Sequence, residues 1–330
     1  MAQPLRGRSI VVTGSGRGIG AEVAKLAAAL GANVVVNDPG VNVDGTGHDA
    51  GPADGVAREI VAAGGKAVAN FDTVATVEGG ENMVKQCMDT WGRVDGVVHL
   101  AGILRDRMIF NMSEEEWDAV IAVHLTGYFN VAKPASVIMR QQRFGRVIAF
   151  SSGSGLSGNG GQANYGAAKA GIAGGVRCLA RDLGRYGVTS NGIAPAAATR
   201  MTQTIPESTL QLRARNSAAA GSVPTGASAP TARPPSIVQQ LRDAKYVAPM
   251  VCYLLTDQAW NINGKIFHVS GGQVSLAHEE TPYRTIVKAG LWTVDELRAL
   301  VPSQIMGGLS NPAPPPADLD LPGRPVMKAS

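Results

Sequence analysis

The sequence predicts an α/β protein: one doubly wound domain with a mostly parallel, seven-stranded sheet and helices on both faces. Three observations predict it. Short β-branched runs alternate with amphipathic helical stretches, a glycine-rich turn follows the first run, and 41 glycines among 330 residues supply the many tight crossings of such a fold.

Residues 9–12 (SIVV) read as the first strand. Glycines follow at 14, 16, 18 and 20, then AEVAKLAAAL reads as a helix with Gly31 as its stop. Asn33 to Asn37 (NVVVN) is the second strand, which completes a βαβ unit. Val56, Ile60 and Val61 mark the next helix, and KAVAN (66–70) the third strand. Val84, Cys87, Met88 and Trp91 follow at helical spacing before the strand VDGVVHL (94–100). Trp117, Val120, Ile121, His124, Leu125 and Tyr128 trace one face of a long helix. RVIAF (146–150) is a strand, Gln162 to Tyr186 a helix, and VTSNGIA (188–194) and KIFHV (265–269) the last two strands.

Two stretches break this rhythm. Residues 216–236 are rich in Ala, Ser, Pro and Gly and read as a flexible insert beside a substrate lid; residues 311–325 form a proline-rich tail. The expected organisation is a domain over 1–280 and a proline-rich extension over 281–330.

Composition excludes several classes. With 45% hydrophobic and 17% charged residues the chain reads as globular, and the net charge of +4 is scattered without a nucleic-acid footprint. No apolar run is long enough to span a bilayer. Cys87, Cys178 and Cys252 are far apart and lack metal-ligand spacing, so no metal is expected and a reducing, cytoplasmic compartment is.

The turn TGSGRGIG lies between a strand and a helix, where glycines let backbone N–H groups approach a pyrophosphate at a helix N-terminus. Gly14, Ser15, Arg17, Gly18 and Ile19 are therefore candidate cofactor residues of a Rossmann-type site. Asp38 ends the second strand, where a carboxylate accepts ribose hydroxyls and repels a ribose phosphate, which favours NAD over NADP; Arg17 argues the other way. Tyr165 and Lys169 are four apart and share a helix face. An ammonium beside a phenol stabilises the phenolate. Ser152, just past a strand end, can hold a substrate oxygen while Tyr165 moves the proton.

With these residues in place, the chain resembles the short-chain dehydrogenase/reductase family over about residues 6 to 275. The matching parts are TGSGRGIG, Asp72, Ala101-Gly102, Ser152, Tyr165 and Lys169. The resemblance implies cofactor contacts at Asp72, Thr73, Ala101, Gly102, Tyr165, Lys169, Pro195 and Thr199. Within the family, VVVNDPG, GGKAVANFD, AGILRDR, VHLTG, GNGGQANY and RMTQT are similar to the (3R)-hydroxyacyl-CoA dehydrogenase units of type 2 peroxisomal multifunctional enzymes, also called 17β-hydroxysteroid dehydrogenase type 4. That implies oxidation of a (3R)-3-hydroxyacyl-CoA with NAD, in fatty-acid or steroid side-chain catabolism.

The chain departs from the wider family in having His99-Leu100 where Asn-Asn is usual, His124 at the catalytic asparagine, and Pro195-Ala196 for Pro-Gly. His124 is read as supporting a water chain to Lys169. Arg105 and Arg107 suit either coenzyme A phosphates or surface ion pairs, and Leu210, Leu212, Ile237, Val238 and Leu241 either a substrate cleft or helix packing. The rival readings are a hydroxysteroid dehydrogenase, a 3-oxoacyl-carrier-protein reductase, and a non-catalytic NAD sensor. A homodimer or homotetramer paired through the helices near 114–133 and 162–186 is expected, with an acyl-CoA or steroid-like substrate, no nucleic acid and no membrane insertion.

Overall fold

Each central strand buries both of its faces, so its side chains divide alternately between two helical layers. In β1 (Ser9–Thr13) Ile10 and Val12 pack into one core and Val11 into the other; in β2 (Asn33–Asn37) Val34 and Val36 divide from Val35 in the same way. The remaining strands are β3 (Lys66–Asn70), β4 (Gly96–His99), β5 (Gly145–Phe150), β6 (Val188–Pro195), β7 (Ile266–Ser270) and β8 (Gln273–Leu276). They lie in the order β3-β2-β1-β4-β5-β6-β7-β8. All neighbours are parallel except β7 and β8. This computed structural model describes residues 3–197 and 243–309.

One layer holds α1 (Gly18–Ala29), α2 (Gly51–Ala62) and α8 (Ala248–Leu255); the other holds α3 (Val77–Trp91), α5 (Gly127–Gln142) and α7 (Ala163–Leu183). Between them along the chain come α4 (Glu114–Ile121) and the short α6 (Gly153–Ser157). Local signals set the helix ends. Thr76 accepts the Gly79 N–H at the start of α3, and left-handed Gly92 (φ 73°) stops it. Ser113 and Glu116 form a reciprocal capping box on α4.

The doubly wound, mostly parallel sheet stands, with one strand more than the seven expected. The eighth, β8, turns back after Gly271 and Gly272 and keeps most of its side chains exposed, so no burial period marks it in the sequence. The single long helix expected through His124 is also interrupted. A π-helical turn over Ala122–Thr126 joins α4 to α5, and a π insertion rotates the side chains that follow it.

The chain divides into two units, Met1–Pro206 with Pro230–Ala277, and Glu207–Ala229 with His278–Ser330. In the second unit, α9 (Val294–Leu300) carries a Thr293–Glu296 capping box, Lys288 pairs with Glu296, and Arg284 donates to the carbonyls of Ile305 and Gly307. The insert 216–236, Thr199, Leu210, Leu212, Ile237, Val238, Leu241 and the tail 311–325 lie outside the described residues. No described helix is long and apolar enough to cross a membrane.

Because β1 neighbours both β2 and β4, the chain reverses direction across the sheet there, and a crevice opens at the carboxyl ends of these strands. The opposite edge is closed by charge. Asp95, 2% exposed, accepts two bonds from Arg93 (2.6 Å each), one from Arg8 (3.3 Å) and one from the Ser9 N–H (2.9 Å). Asp95→Ala is expected to lower stability by roughly 2 kcal/mol in urea unfolding, because it strips the Ser9 N–H and Arg93 of their acceptor, while Arg8 keeps Asp257. Turnover by the folded fraction should be unchanged, since the site lies at the other strand ends.

Candidate active site

The glycine turn is closed as tightly as its sequence suggests. Gly14 has φ 63°, and a Cβ there would stand 2.8 Å from the Cα of Ala101; one at Gly20 would stand 2.2 Å from the Gly14 carbonyl. Ser15 is turned inward: its hydroxyl donates to the Val12 carbonyl (2.7 Å) and its N–H to the Asn37 carbonyl (2.9 Å). Ile19 likewise sends its side chain into the core, which leaves these two positions their backbone for a ligand. Arg17 takes the N-cap position of α1 without a side-chain cap, and the first turn carries no acidic residue. No acidic residue of the first turn of α1 itself offsets its positive end, which suits an anion.

Asp38 sits beside this turn. One carboxylate oxygen accepts the Gly16 N–H (3.1 Å) and the other the Gly40 N–H (2.8 Å). A carboxylate has about four acceptor sites, so two bonds leave capacity for hydroxyl donors. The Arg17 guanidinium lies 3.8 Å from the Asp49 carboxylate. At the end of β3, Asp72 accepts from Asn70 (2.8 Å) and Asn82 (3.4 Å), and Asn37 bonds both Asn70 and the Asp72 carbonyl. Thr73 is exposed beside it, its hydroxyl accepting the Ala75 N–H. The loop after β2 reaches the loop after β4: Val43 accepts the Leu104 N–H (2.8 Å) and Asp44 accepts from the Arg105 side chain (2.9 Å).

Two buried histidines lie at the exit of β4. Thr13 Oγ1 accepts the N–H groups of Leu100 and Ala101, both at 3.1 Å, and contacts His99 Nδ1 at 3.2 Å. His99 Nε2 is 3.0 Å from the His124 carbonyl, which can only accept. The His99 proton therefore sits on Nε2. Burial, with the nearby Lys169 charge, pushes the His99 pKa down to about 3, so the ring is neutral and Thr13 must donate to Nδ1. His124 is held well below its ordinary value for the same reasons. Its Nε2 lies 2.8 Å from the Ile103 carbonyl and 3.1 Å from the Ile103 N–H, and no described group bonds its Nδ1. Gly102 makes room for the ring, since a Cβ there would stand 2.2 Å from His124 Cε1.

Ser152, Tyr165 and Lys169 converge on this wall. The His124 ring meets the Tyr165 ring edge-on at 5.2 Å, and Lys169 Nζ lies 5.6 Å from the Tyr165 ring centre. Ser152 caps α6, its Oγ accepting the Ser154 N–H at 3.2 Å. Burial raises the half-buried Tyr165 phenol above its ordinary pKa; a hydrogen bond with Ser152 pulls it back, and the charge of Asp106 adds to the rise. Lys169, 3% exposed, donates to the Phe150 carbonyl at 2.7 Å, and burial lowers its pKa to about 7. Pro195 stands at the end of β6, whose continuation is pinned by the Ala196 N–H on the Val269 carbonyl.

Arg105 pairs with Glu115 (2.8 Å) and Arg107 with Glu116 (2.7 Å), the ion-paired alternative for these residues. The sequence reading passed over Asn164 and Gln162. Asn164 is buried and donates to the carbonyls of Arg105 and Glu116 while accepting the Tyr165 N–H. Their only signal was two amides within three residues of the tyrosine.

The chain matches the family model described as short chain dehydrogenase over residues 8–209. It is 40% identical to the peroxisomal multifunctional enzyme type 2 of Mus musculus over 87% of this chain and 35% of that one, so it spans about a third of that relative. It is 36% identical to a hydroxyacyl-CoA dehydrogenase of Mycobacterium tuberculosis over 92% of this chain and 90% of the relative. The crystal structure of a short chain dehydrogenase from Mycobacterium avium is similar at a TM-score of 0.75 and 38% identity, covering 95% of this chain and 98% of that one.

The burial of Lys169 has a measurable cost. Below pH 7 the lysine is charged in both the folded and unfolded chain, so the folded state bears the full penalty of burying the charge. Between pH 7 and about 10.5 the unfolded chain holds the extra proton, so stability rises with pH across that window. Lys169→Met is expected to be inactive and more heat-stable, with a Tm advantage that is largest below pH 7 and fades towards pH 10. Calorimetry across that range checks it; an equal advantage at every pH would remove the charge from the explanation.

Proposed function

The chain belongs to the short-chain dehydrogenase family, and from that premise we propose that it oxidises a (3R)-3-hydroxyacyl-CoA to the 3-oxoacyl-CoA with NAD. It is an NAD(P)-dependent oxidoreductase of the alcohol dehydrogenase type. The observation that carries the finer reading is the convergence of Ser152, Tyr165 and Lys169 beside the glycine turn and Asp38.

Tyr165 is the base that takes the substrate hydroxyl proton. Ser152 holds the substrate oxygen: its lone pair accepts the Ser154 N–H, which leaves its own proton to point across the site. Lys169, near neutrality in pKa, takes up a proton and as an ammonium stabilises the Tyr165 phenolate. His124, with Nδ1 unbonded among described groups, is the ring beside which water returns protons to Lys169.

The residues present fit a dinucleotide, because a Cβ at Gly14 or Gly20 would close the turn and the N-terminus of α1 is open to an anion. Gly14, Ser15, Arg17, Gly18 and Ile19 would hold its pyrophosphate, Asp38 a ribose, Asp72 and Thr73 the adenine, and Ala101, Gly102 and Pro195 the nicotinamide half. Bound there, NAD would supply the hydride acceptor. Two features favour NAD over NADP. Asp38 opposes a ribose phosphate, and the Arg17 charge already faces Asp49. The acyl-CoA substrate is supported by the relative named as a hydroxyacyl-CoA dehydrogenase. A homo-oligomer paired near α4 and α5 is supported by the exposed Phe110, Trp117, Phe129 and Val137.

The test is NADH formation with a (3R)-3-hydroxyacyl-CoA beside a 17β-hydroxysteroid, each with NAD and with NADP. Turnover of the thioester with NAD is expected. Tyr165→Phe should lower kcat by about 10²–10⁴-fold and leave NADH binding intact. Asp38→Ala should improve NADP use relative to NAD. Turnover of the steroid alone overturns the substrate, and an active Tyr165→Phe enzyme overturns the mechanism.

A further inference from the structure

Gln162 occupies the N-cap position of the helix that carries Tyr165, yet its side chain caps nothing. Ser, Thr, Asp and Asn are favoured there because they bond the first turn, so an amide that does not cap is spent elsewhere. Its side chain is 5% exposed and fully engaged. Nε2 donates to Asp106 Oδ2 at 2.8 Å, while Oε1 accepts from the Ser154 hydroxyl at 2.8 Å and from Asn159 at 3.2 Å. The Asp106 carboxylate can only accept, so it dictates which end of the amide faces it. The Gln162 oxygen must then face Ser154, and Ser154 must donate its hydroxyl proton to it. The Ser154 N–H in turn bonds Ser152 Oγ, and this bond directs the Ser152 proton to the side where Tyr165 lies. The backbone supports the same link, since Arg107 and Gln162 form an isolated bridge and the Arg107 N–H donates to the Gly161 carbonyl.

We propose that Gln162 is a positioning residue for proton transfer: its amide, oriented by Asp106, fixes Ser154 and through it the Ser152 hydroxyl opposite Tyr165. The inference rests on the reading that Ser152 and Tyr165 carry the chemistry. Among described groups the Gln162 side chain bonds Asp106, Ser154 and Asn159, and it acts on Ser152 by holding Ser154 in place, which requires its amide oxygen to face Ser154 and its N–H to face Asp106. That makes the polarity testable by exchange. In Gln162→Glu two carboxylates would face each other at Asp106, and only a shared proton restores the bond. In the double variant Gln162→Glu with Asp106→Asn, donor and acceptor trade places and the bond returns without that proton. The other charged groups around this pair are Arg107 with Glu116 and Arg105 with Glu115 on the loop after β4 and on α4. Around Tyr165 they are Lys169 on its own helix and His124 on the π turn.

The experiment measures kcat, KM, NADH affinity and Tm for Gln162→Leu, Gln162→Glu, the double variant and Tyr165→Phe between pH 6 and 9. Gln162→Leu should lose about 10- to 100-fold in kcat at unchanged NADH affinity, the scale of a small misplacement of a reacting group. Gln162→Glu should be most active at low pH and lose activity as pH rises, and the double variant should recover activity and lose that slope. A Gln162→Leu enzyme with wild-type kcat, or a double variant no better than Gln162→Glu, overturns the proposal while an inactive Tyr165→Phe leaves the catalytic reading standing. If Gln162→Leu does not fold, the two polar variants decide alone. An active Tyr165→Phe enzyme would overturn the catalytic reading and this inference with it.

Discussion

The Thr13 hydroxyl is one atom group with three bonds, and the crevice is arranged around it. It accepts two N–H groups from the chain leaving β4 and donates to His99, which in turn holds the His124 carbonyl. Thr13 is also the last residue before Gly14, whose missing Cβ lets the turn press against Ala101. One buried hydroxyl therefore sets the spacing between the glycine turn, the exit of β4 and the π turn. Each bond depends on the others, because the neutral Nε2–H form of His99 is required by the carbonyl on one side and then requires Thr13 to donate on the other. Burial enforces this by keeping His99 uncharged.

The same dry environment sets the chemistry of the opposite wall. Burial moves Lys169 down and Tyr165 up, so their affinities for a proton are pushed apart from nearly equal starting values. A lysine placed on the surface would stay charged and contribute little to a neighbour. Here the folded chain gives up stability to keep it inside, and the Phe150 carbonyl is the single described group bonded to its Nζ. Such expensive burial is characteristic of groups that move protons rather than of groups that hold a fold together.

The sheet and the cofactor half of the site were readable from sequence because both depend on backbone rules. Strands with Val and Ile on both faces alternate with helices, and the turn needs glycine wherever a Cβ would strike Ala101 or the Gly14 carbonyl. β8 escaped notice because an exposed edge strand needs no hydrophobic period. The π turn escaped because its side-chain pattern still resembles an uninterrupted helix over a few residues.

The supporting polar groups were harder to read, for a different reason. His99, Asp106, Asn164 and Gln162 each hold a partner 25 or more residues away, and no local pattern announces such bonds. What local propensity does announce is a mismatch. Gln162 is a poor choice at an N-cap, and His124 is a titratable ring on an otherwise apolar helix face. Where a residue disobeys the preference of its own position and is nonetheless buried and bonded, the tertiary contact outweighs the local rule. The two amides just before Tyr165 fit that description. They tie the start of its helix to the loop after β4, to α4 and to Ser154 in α6, so the phenol is aimed by contacts with three segments rather than by its helix alone.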